Sequence, residues 1–448
     1  MDGAQMSSQQ RVGVIGYGVT GKSVVAHLLR QGKTPVVIDT RPEPDDFNTR
    51  GEHFFAVDRW PEAELCDAVL SPGLAMDAPL VQSALEHGVE LCSDIDLFFD
   101  RVQQPVIGVT GTNGKSTVVS LAGHLLASAG YRVAVGGNLG TAALDLLIDP
   151  QDIYVLELSS FQLERSREHA YAVAVILNIS EDHADQHGGM DAYVEAKHRI
   201  YSAALKKVLN RDDAVAQPRD LTVSTDNTSF GQQASATGWG VLVDGSHTYI
   251  AHGEQRVADV ADLSLSGLHN HLNVAATCAL VEDWLTHEQI AAGLKSFTGL
   301  AHRFETIAES SGVRFVNDSK ATNVGATEAA LAGFDMPGSV VLIAGGDAKG
   351  ADLTPLVAPL RAVVDRVLAI GRDAEQVLQV AHAAGVQAQR CADLQVAVEA
   401  AFNHAVAGQT VLLSPACASL DMFTNYAARG DEFRQAVAAR LTHLPEMH

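Results

Sequence analysis

Val106-Ile107-Gly108-Val109-Thr110-Gly111-Thr112-Asn113-Gly114-Lys115-Ser116-Thr117 decides how this chain is read. A short apolar strand over 105–109 runs into a glycine turn, and Lys-Ser-Thr opens a helical pattern over 118–128. That layout presents backbone N–H groups and a helix N-terminus to phosphate oxygens; the lysine can reach the β/γ-phosphates, and the serine hydroxyl can ligate Mg²⁺. The strict pattern has glycine five residues before Gly114. Val109 stands there, with Gly108 one place earlier. Two glycines followed by Lys-Ser-Thr outweigh a plain strand-to-helix turn, so Gly111, Thr112, Asn113, Gly114, Lys115, Ser116 and Thr117 are expected to bind a nucleoside triphosphate.

Working outward from this loop, apolar strands alternate with helical patterns on both sides. Strands are expected at 12–15, 35–39, 67–70 and 89–92, and helices at 22–31, 79–87 and 94–100, as in a parallel sheet covered on both faces. Polar residues 101–104 read as a linker. After the phosphate loop, strands at 131–135, 153–158 and 173–178 are expected to form a second sheet. Over 219–266 short strands broken by Gly, Ser, Asp and Asn suggest an antiparallel meander. Helices follow at 269–284 and 286–296, and 297–300 reads as a second hinge. Strands at 314–317, 339–344, 366–370 and 410–413 define a last α/β unit. The expectation is an α/β chain of three domains: a Rossmann-like domain over 1–101, a central P-loop domain over 102–299 whose mainly parallel sheet carries a small antiparallel one, and a Rossmann-like domain over 300–448.

Size and composition agree. The chain has 448 residues, 47% hydrophobic and 19% charged, enough for about three cores at ~150 residues each. No apolar run reaches the ~18 residues of a membrane-spanning helix, and the first residues carry no signal-peptide pattern. The five cysteines lie far apart with no CxxC pair, which suits reduced packing thiols and a cytoplasmic location. A formal net charge of −23 excludes a general affinity for nucleic acid or anionic lipid. An anionic nucleotide therefore needs local cations, for which Lys115, Arg303, Lys320, Lys349 and Mg²⁺ are the candidates.

Further motifs fall at strand ends. Gly16-Tyr17-Gly18-Val19-Thr20-Gly21 fits a dinucleotide fingerprint, and Asp39 ends the next strand where a ribose-binding acid would sit. A uridine diphosphate compound satisfies the same geometry, and the adjacent Arg41 offers a cation. Glu157 is a lone carboxylate in an apolar strand; it must meet solvent, a cation or a metal. Asn178-Ile179-Ser180-Glu181-Asp182-His183, continuing to His187, gathers acids and imidazoles, without the helical register of a zinc site. Lys197, read by itself, is a solvated helix lysine. In the last unit, 317–323, 345–350 and 414–419 are three polar strand-end loops, as expected of a second substrate site. Cys417 lacks a nearby histidine base and reads as a packed thiol.

Together these motifs resemble the Mur ligase family along essentially the whole chain. The most specific pieces are Gly111 to Ser116, Glu157, His183, Gly267-Leu268-His269-Asn270 with Asn273, His302-Arg303, and Asp318 to Asn323. Within the family, the N-terminal turn, Asp39-Thr40-Arg41, 345–350 and 414–421 are most similar to the members that add D-glutamate to UDP-N-acetylmuramoyl-L-alanine. The resemblance implies an ATP-dependent amide ligase of peptidoglycan precursor synthesis, working as a monomer on small molecules through an acyl phosphate, with closure around ATP at 101–104 and 297–300. It implies that Val19, Thr20, Asp39, Thr40, Arg41, Ser71, Asn138 and His183 hold the UDP substrate. Asn270, Asn273, Arg303 and Asp318 join the loop in holding ATP. Thr322, Lys349, Ser419 and Tyr426 hold D-glutamate, with Tyr426 standing where the family pattern has phenylalanine. Ser116, Glu157, His183 and a carbamylated Lys197 ligate two Mg²⁺ ions, and Lys115, His183 and Lys197 are the catalytic residues. The segment from Asp185 to Lys197 is one residue shorter than the family pattern. On the motifs alone, a nicotinamide oxidoreductase, a slow ATPase switch and a sister ligase for another amino acid or a folate are the rival readings.

Overall fold

The computed structural model describes residues 11–44, 47, 53–61, 65–138, 140–180, 187–218, 227–265 and 267–442. Each of three sheets is built from the apolar runs read above. Runs such as Val106 to Thr110 are buried at every position, because helices cover both faces of a parallel sheet and leave no polar side.

The first sheet holds β1 (Arg11–Ile15), β2 (Thr34–Asp39), β3 (His53–Ala56), β4 (Asp67–Leu70) and β5 (Glu90–Cys92) in the order β3-β2-β1-β4-β5, all parallel. Ile15 pairs with Ile38 on one side and Leu70 on the other. The strand order therefore reverses at β1 and β4, and a crevice opens beyond their carboxyl ends. β3 was not expected. Its four residues, His-Phe-Phe-Ala, sit at the sheet edge and carry no alternation.

The second sheet holds β6 (Val106–Thr110), β7 (Val133–Gly137), β8 (Ile153–Glu157), β9 (Val173–Ile176), β10 (Lys206–Asn210) and β11 (Thr228–Gln233), parallel in the order β11-β10-β9-β6-β8-β7. β6 lies between β8 and β9, so the phosphate loop emerges between Glu157 and Asn178. Within the stretch expected to be an antiparallel meander, β12 (Trp239–Asp244), β13 (His247–His252) and β14 (Gln255–Asp259) are antiparallel, whereas β11 runs parallel to β10 and extends the main sheet.

The third sheet holds β15 (Glu305–Ser310), β16 (Val313–Asn317), β17 (Val340–Gly345), β18 (Val364–Ile370), β19 (Gln387–Arg390) and β20 (Thr410–Leu413), ordered β15-β16-β20-β17-β18-β19. Only β15 runs antiparallel, against β16. The adjacent β16, β20 and β17 bring the three polar loops to one end of this sheet.

The first sheet and the parallel strands of the second belong to one compact unit; the meander and the third sheet belong to another. Within the first unit one apolar core runs from Val14 and Val25 through Phe98 to Tyr154 and Tyr171. Phe98 meets Tyr154 edge-on at 5.3 Å, and Phe99 stacks on His169 at 4.3 Å. Flexing at 101–104 would have to open this shared core, so that segment is a joint rather than a free hinge. Asp96 pins it from the polar side: it accepts from His169 Nε2 at 2.7 Å and from the Arg167 N–H at 2.8 Å. Burial alone would raise the Asp96 carboxyl, but these bonds and those from Ser93 outweigh it and hold it down at about 2. Among the described residues no helix is long and apolar enough to cross a membrane.

Candidate active site

The phosphate loop is shaped by its two glycines. Gly111 has φ +152° and Gly114 φ +86°, and a Cβ on Gly111 would lie 3.0 Å from Leu177 Cβ. Asn178 fixes the turn between them: its Oδ1 accepts from the Asn113 N–H at 2.8 Å and its backbone carbonyl accepts from the Thr112 N–H at 2.9 Å. The helix Lys115–Ser128 starts directly after Gly114. Its N-terminus faces the loop, as a phosphate site requires.

Lys115 curls back over the loop, donating from Nζ to the carbonyls of Gly111 at 2.7 Å and Thr112 at 2.8 Å. Ser116 Oγ donates to Glu157 Oε2 at 2.6 Å, and Asn138 Nδ2 donates to Glu157 Oε1 at 2.7 Å. Glu157 is buried, with 3% of its surface exposed. The expected solvent, cation or metal contact is not what the structure shows: neutral hydroxyl and amide donors hold this buried carboxylate. The serine hydroxyl, the carboxylate and the amide form a set of hard oxygen donors beside a phosphate loop, which suits Mg²⁺ rather than a softer metal.

Lys197 is not a solvated lysine. It lies in the helix Met190–His198 with 2% exposure, donates to the Gly111 carbonyl at 2.9 Å and stands 4.5 Å over the Tyr193 ring. Its burial follows from the helix packing its inner face under the phosphate loop, where Tyr193 also bonds Thr112 Oγ1 at 3.0 Å. His183 lies outside the described residues. His187 is buried, stacked on Phe161 at 4.5 Å and bonded to Ser160 Oγ at 2.9 Å; burial lowers its basicity.

In the first sheet the crevice is closed at its base by Ser71 Oγ, which donates to the Gly16 carbonyl at 2.9 Å. Gly21 is obligatory, since a Cβ there would sit 2.0 Å from Gly16 O. Asp39 accepts from the Tyr17 N–H at 2.7 Å and from Arg41 Nε and Nη2 at 2.9 and 2.6 Å. The Arg41 guanidinium holds the Asp39 carboxyl at about 2. Val19 is 74% exposed at the start of the helix Val19–Arg30, an apolar surface open to a ligand, and Thr40 follows Asp39 on the exposed rim. The residues of this sheet that were expected to bind UDP thus lie at one crevice, while Asn138 is placed with Glu157.

In the other unit, Asn270 and Asn273 lie on the helix Leu268–Val281, with Asn273 Nδ2 donating to Asn270 Oδ1 at 3.3 Å. Arg303 stands between two residues of positive φ, His302 at +64° and Phe304 at +49°. Asp318 Oδ1 accepts from the Phe304 N–H at 3.1 Å and Oδ2 from Ser414 Oγ at 2.9 Å. Burial pushes the Asp318 carboxyl up to about 7 despite these bonds and the charge of Arg303.

Asp347 and Ala418 exchange backbone hydrogen bonds at 3.0 and 2.9 Å, drawing the loops of Lys349 and Ser419 together. Lys349 itself has φ +53°, with its N–H on Asp347 Oδ1 at 2.9 Å. Ser419 is buried; Thr322 follows Lys320 in a tight turn; Lys320 Nζ lies 4.3 Å over the Tyr426 ring. Cys417 is buried, which pushes its thiol up to about 12. Arg429 was missed by the sequence reading. It is buried and donates to Ser319 Oγ at 3.0 Å, Ser319 O at 2.8 Å and Cys417 O at 3.1 Å, tying two of the loops together. Its only signal is a basic residue in a helix of mixed polarity.

Comparison with known proteins follows the same three blocks. Residues 10–93 match the Mur ligase MurD-like N-terminal domain, 109–281 the Mur ligase middle domain and 302–417 the Mur ligase glutamate ligase domain. The UDP-N-acetylmuramoylalanine–D-glutamate ligase of Shewanella oneidensis is 42% identical over 451 residues, covering 96% of this chain and 99% of that protein. The ligase of the same name from Pseudomonas savastanoi pv. phaseolicola is 44% identical over 435 residues, covering 95% and 97%. Among solved structures, the UDP-N-acetylmuramate–alanine ligase of Thermotoga maritima superposes with a TM-score of 0.61 at 16% identity, over 96% of this chain and 99% of that one. MurF ligase of the same organism, in complex with ADP, gives 0.60 at 17% identity, over 98% and 97%. The chain belongs to the Mur ligase family, and its fold is the three-domain α/β fold of that family.

Proposed function

We propose that this chain is an ATP-dependent ligase that joins D-glutamate to UDP-N-acetylmuramoyl-L-alanine, in the cytoplasm and as a monomer, with domains over 1–101, 102–299 and 300–448. The observation that carries the reading is the phosphate loop with Glu157, Ser116 and Asn138 locked together at its rim. Full-length relatives of that name support the choice of substrates.

In this reading Lys115 leaves the loop carbonyls for the β/γ-phosphates, and the amides of 111–117 hold the phosphate oxygens. The UDP substrate lies along the β1/β4 crevice with Val19, Thr20, Asp39, Thr40, Arg41 and Ser71, and Asn138 and His183 hold its acyl end. Asn270, Asn273, Arg303 and Asp318 hold the nucleotide; Thr322, Lys349, Ser419 and Tyr426 hold D-glutamate. The substrate carboxylate oxygen attacks the γ-phosphorus and ADP leaves. The glutamate amine then attacks the acyl carbon, the acyl–phosphate bond breaks, inorganic phosphate leaves and the nitrogen loses a proton. The work asked of the protein is positioning and charge neutralisation more than covalent help.

Ser116, Glu157, His183 and Lys197 would hold two Mg²⁺, which when bound neutralise phosphate charge. The pairing of Ser116 with buried Glu157 supports one such site. A carbamate on Lys197 would add an anionic ligand, and its nitrogen would keep one N–H, enough for the Gly111 carbonyl. The test is phosphate release from ATP and Mg²⁺ with UDP-N-acetylmuramoyl-L-alanine, scanning amino acids singly. Release that requires D-glutamate, with a product heavier by one glutamyl residue, is the expected result. Dependence on another amino acid makes the chain a sister ligase; indifference to all of them makes it an ATPase.

A further inference from the structure

The crevice between β1 and β4 receives a cation from outside its own sheet. Arg165 ends the helix Ser160–Arg165, which follows β8 and its Glu157. Arg165 Nη1 donates to the carbonyls of Pro72 and, at 3.4 Å, Ser71, in the turn after β4. Ser71 in turn bonds Gly16, the first residue of the glycine-rich turn after β1. The guanidinium thus stands on the rim of the crevice, one residue contact from the turn that faces the ligand.

Its surroundings do not satisfy it. Among the described residues, the buried Arg165 Nε has no hydrogen-bond partner. The guanidinium also stands 5.4 Å from the Phe161 ring. Among the described residues no carboxylate forms an ion pair with it, and Glu164 acts on it only at a distance. Burial lowers its basicity, the signature of a cation held in place without its counter-charge. Arg199 keeps the arrangement rigid by donating to Leu163 O at 2.8 Å and Ser166 O at 2.6 Å, on either side of Arg165. The crevice's own cations are differently placed: Arg41 is engaged by Asp39, and Lys22 leans over the Tyr17 ring at 5.5 Å.

We propose that Arg165 is a binding residue for the diphosphate of the UDP substrate, rather than a brace for the turn it touches. An incoming diphosphate supplies the missing counter-charge, and guanidinium is the side chain suited to that match. The inference rests on the proposed UDP substrate.

The experiment titrates the full-length protein with UDP and, separately, with uridine, comparing wild type with Arg165→Met and Arg165→Lys. Removing one charge-assisted contact costs roughly ten- to a hundredfold in affinity. The expected result is that loss for UDP in Arg165→Met, partial recovery in Arg165→Lys and unchanged uridine affinity. Equal weakening of both ligands in Arg165→Met means that Arg165 only shapes the turn, and overturns the proposal. Unchanged UDP affinity in a variant whose melting temperature matches wild type overturns it as well. A wild-type protein that binds no UDP removes the substrate reading itself, and Arg165's role with it.

Discussion

Asp318 ties the chemistry of a single carboxyl to the stability of its domain. Folded, it keeps its proton up to about 7; unfolded, it releases it near the ordinary 3.8. The native state therefore binds more protons than the unfolded state between those values, and this group's contribution makes the protein less stable as pH rises through that window. Asp318→Asn removes the titration while leaving an acceptor for the Phe304 N–H. We expect it to flatten the melting-temperature profile between about pH 4 and 7, raise the melting temperature at pH 8, and weaken nucleotide binding. Parallel profiles for variant and wild type would contradict the assignment of the raised group. Residues of this kind are only half legible in a sequence. Asp318 was read as a nucleotide contact from its motif, yet its burial depends on Ser414 and Phe304, which come from other segments. Lys197 shows the same limit more sharply. Its spacing on a polar helix reads as solvent-facing; the family resemblance alone places it at the site, and the packing of that helix under the phosphate loop makes it a buried donor.

Elements explain which parts of the sequence spoke clearly. β6, β8, β16, β17 and β20 are short apolar runs buried on both faces, and each ends in a polar loop that marks the sites. β10, β15 and β19 went unseen because Lys-Lys, Glu-Thr-Ile-Ala-Glu-Ser and Gln-Ala-Gln-Arg lack a continuous apolar signature. Arg429 and Arg165 went unseen because a helix arginine is ordinarily a surface residue, and their roles arise from loops distant in sequence. The segment 302–304 shows how elements aim a side chain. His302 and Phe304 take positive φ on either side of Arg303, a strain of roughly 1–3 kcal/mol each that must be imposed by neighbours. Asn317 Nδ2 reaches His302 Nδ1 at 3.1 Å and Gly430 O at 2.9 Å. A Cβ on Gly430 would lie 2.2 Å from that same Nδ1. Gly430→Ala is therefore expected to displace His302 and turn Arg303 aside. The overpacking costs about 1–3 kcal/mol of stability, and nucleotide KM rises more than the KM for the UDP substrate. An unchanged nucleotide KM in a folded variant would show that Arg303 is aimed by something else.

At the scale of the whole molecule, charge sets how substrates arrive. Fifty-four acidic against thirty-one basic side chains leave −23, and the nucleotide, the UDP substrate and glutamate are all anions. Beyond a Debye length of about 10 Å at 0.1 M salt the basic groups of each site are outnumbered. Added salt should therefore speed the association of UDP with the protein, measured by stopped flow, instead of slowing it. A rate that falls with salt would mean that Arg165, Lys22 and Arg41 govern the field outside the crevice as well as within it. The Gly111 carbonyl bears on the step after arrival. It is shared by two Nζ donors, those of Lys115 and Lys197. When a triphosphate claims the first, the second remains, so the oxygen passes from two suitors to one and is never abandoned. Nucleotide capture becomes a handover, in which the loop gives up a surplus rather than a necessity.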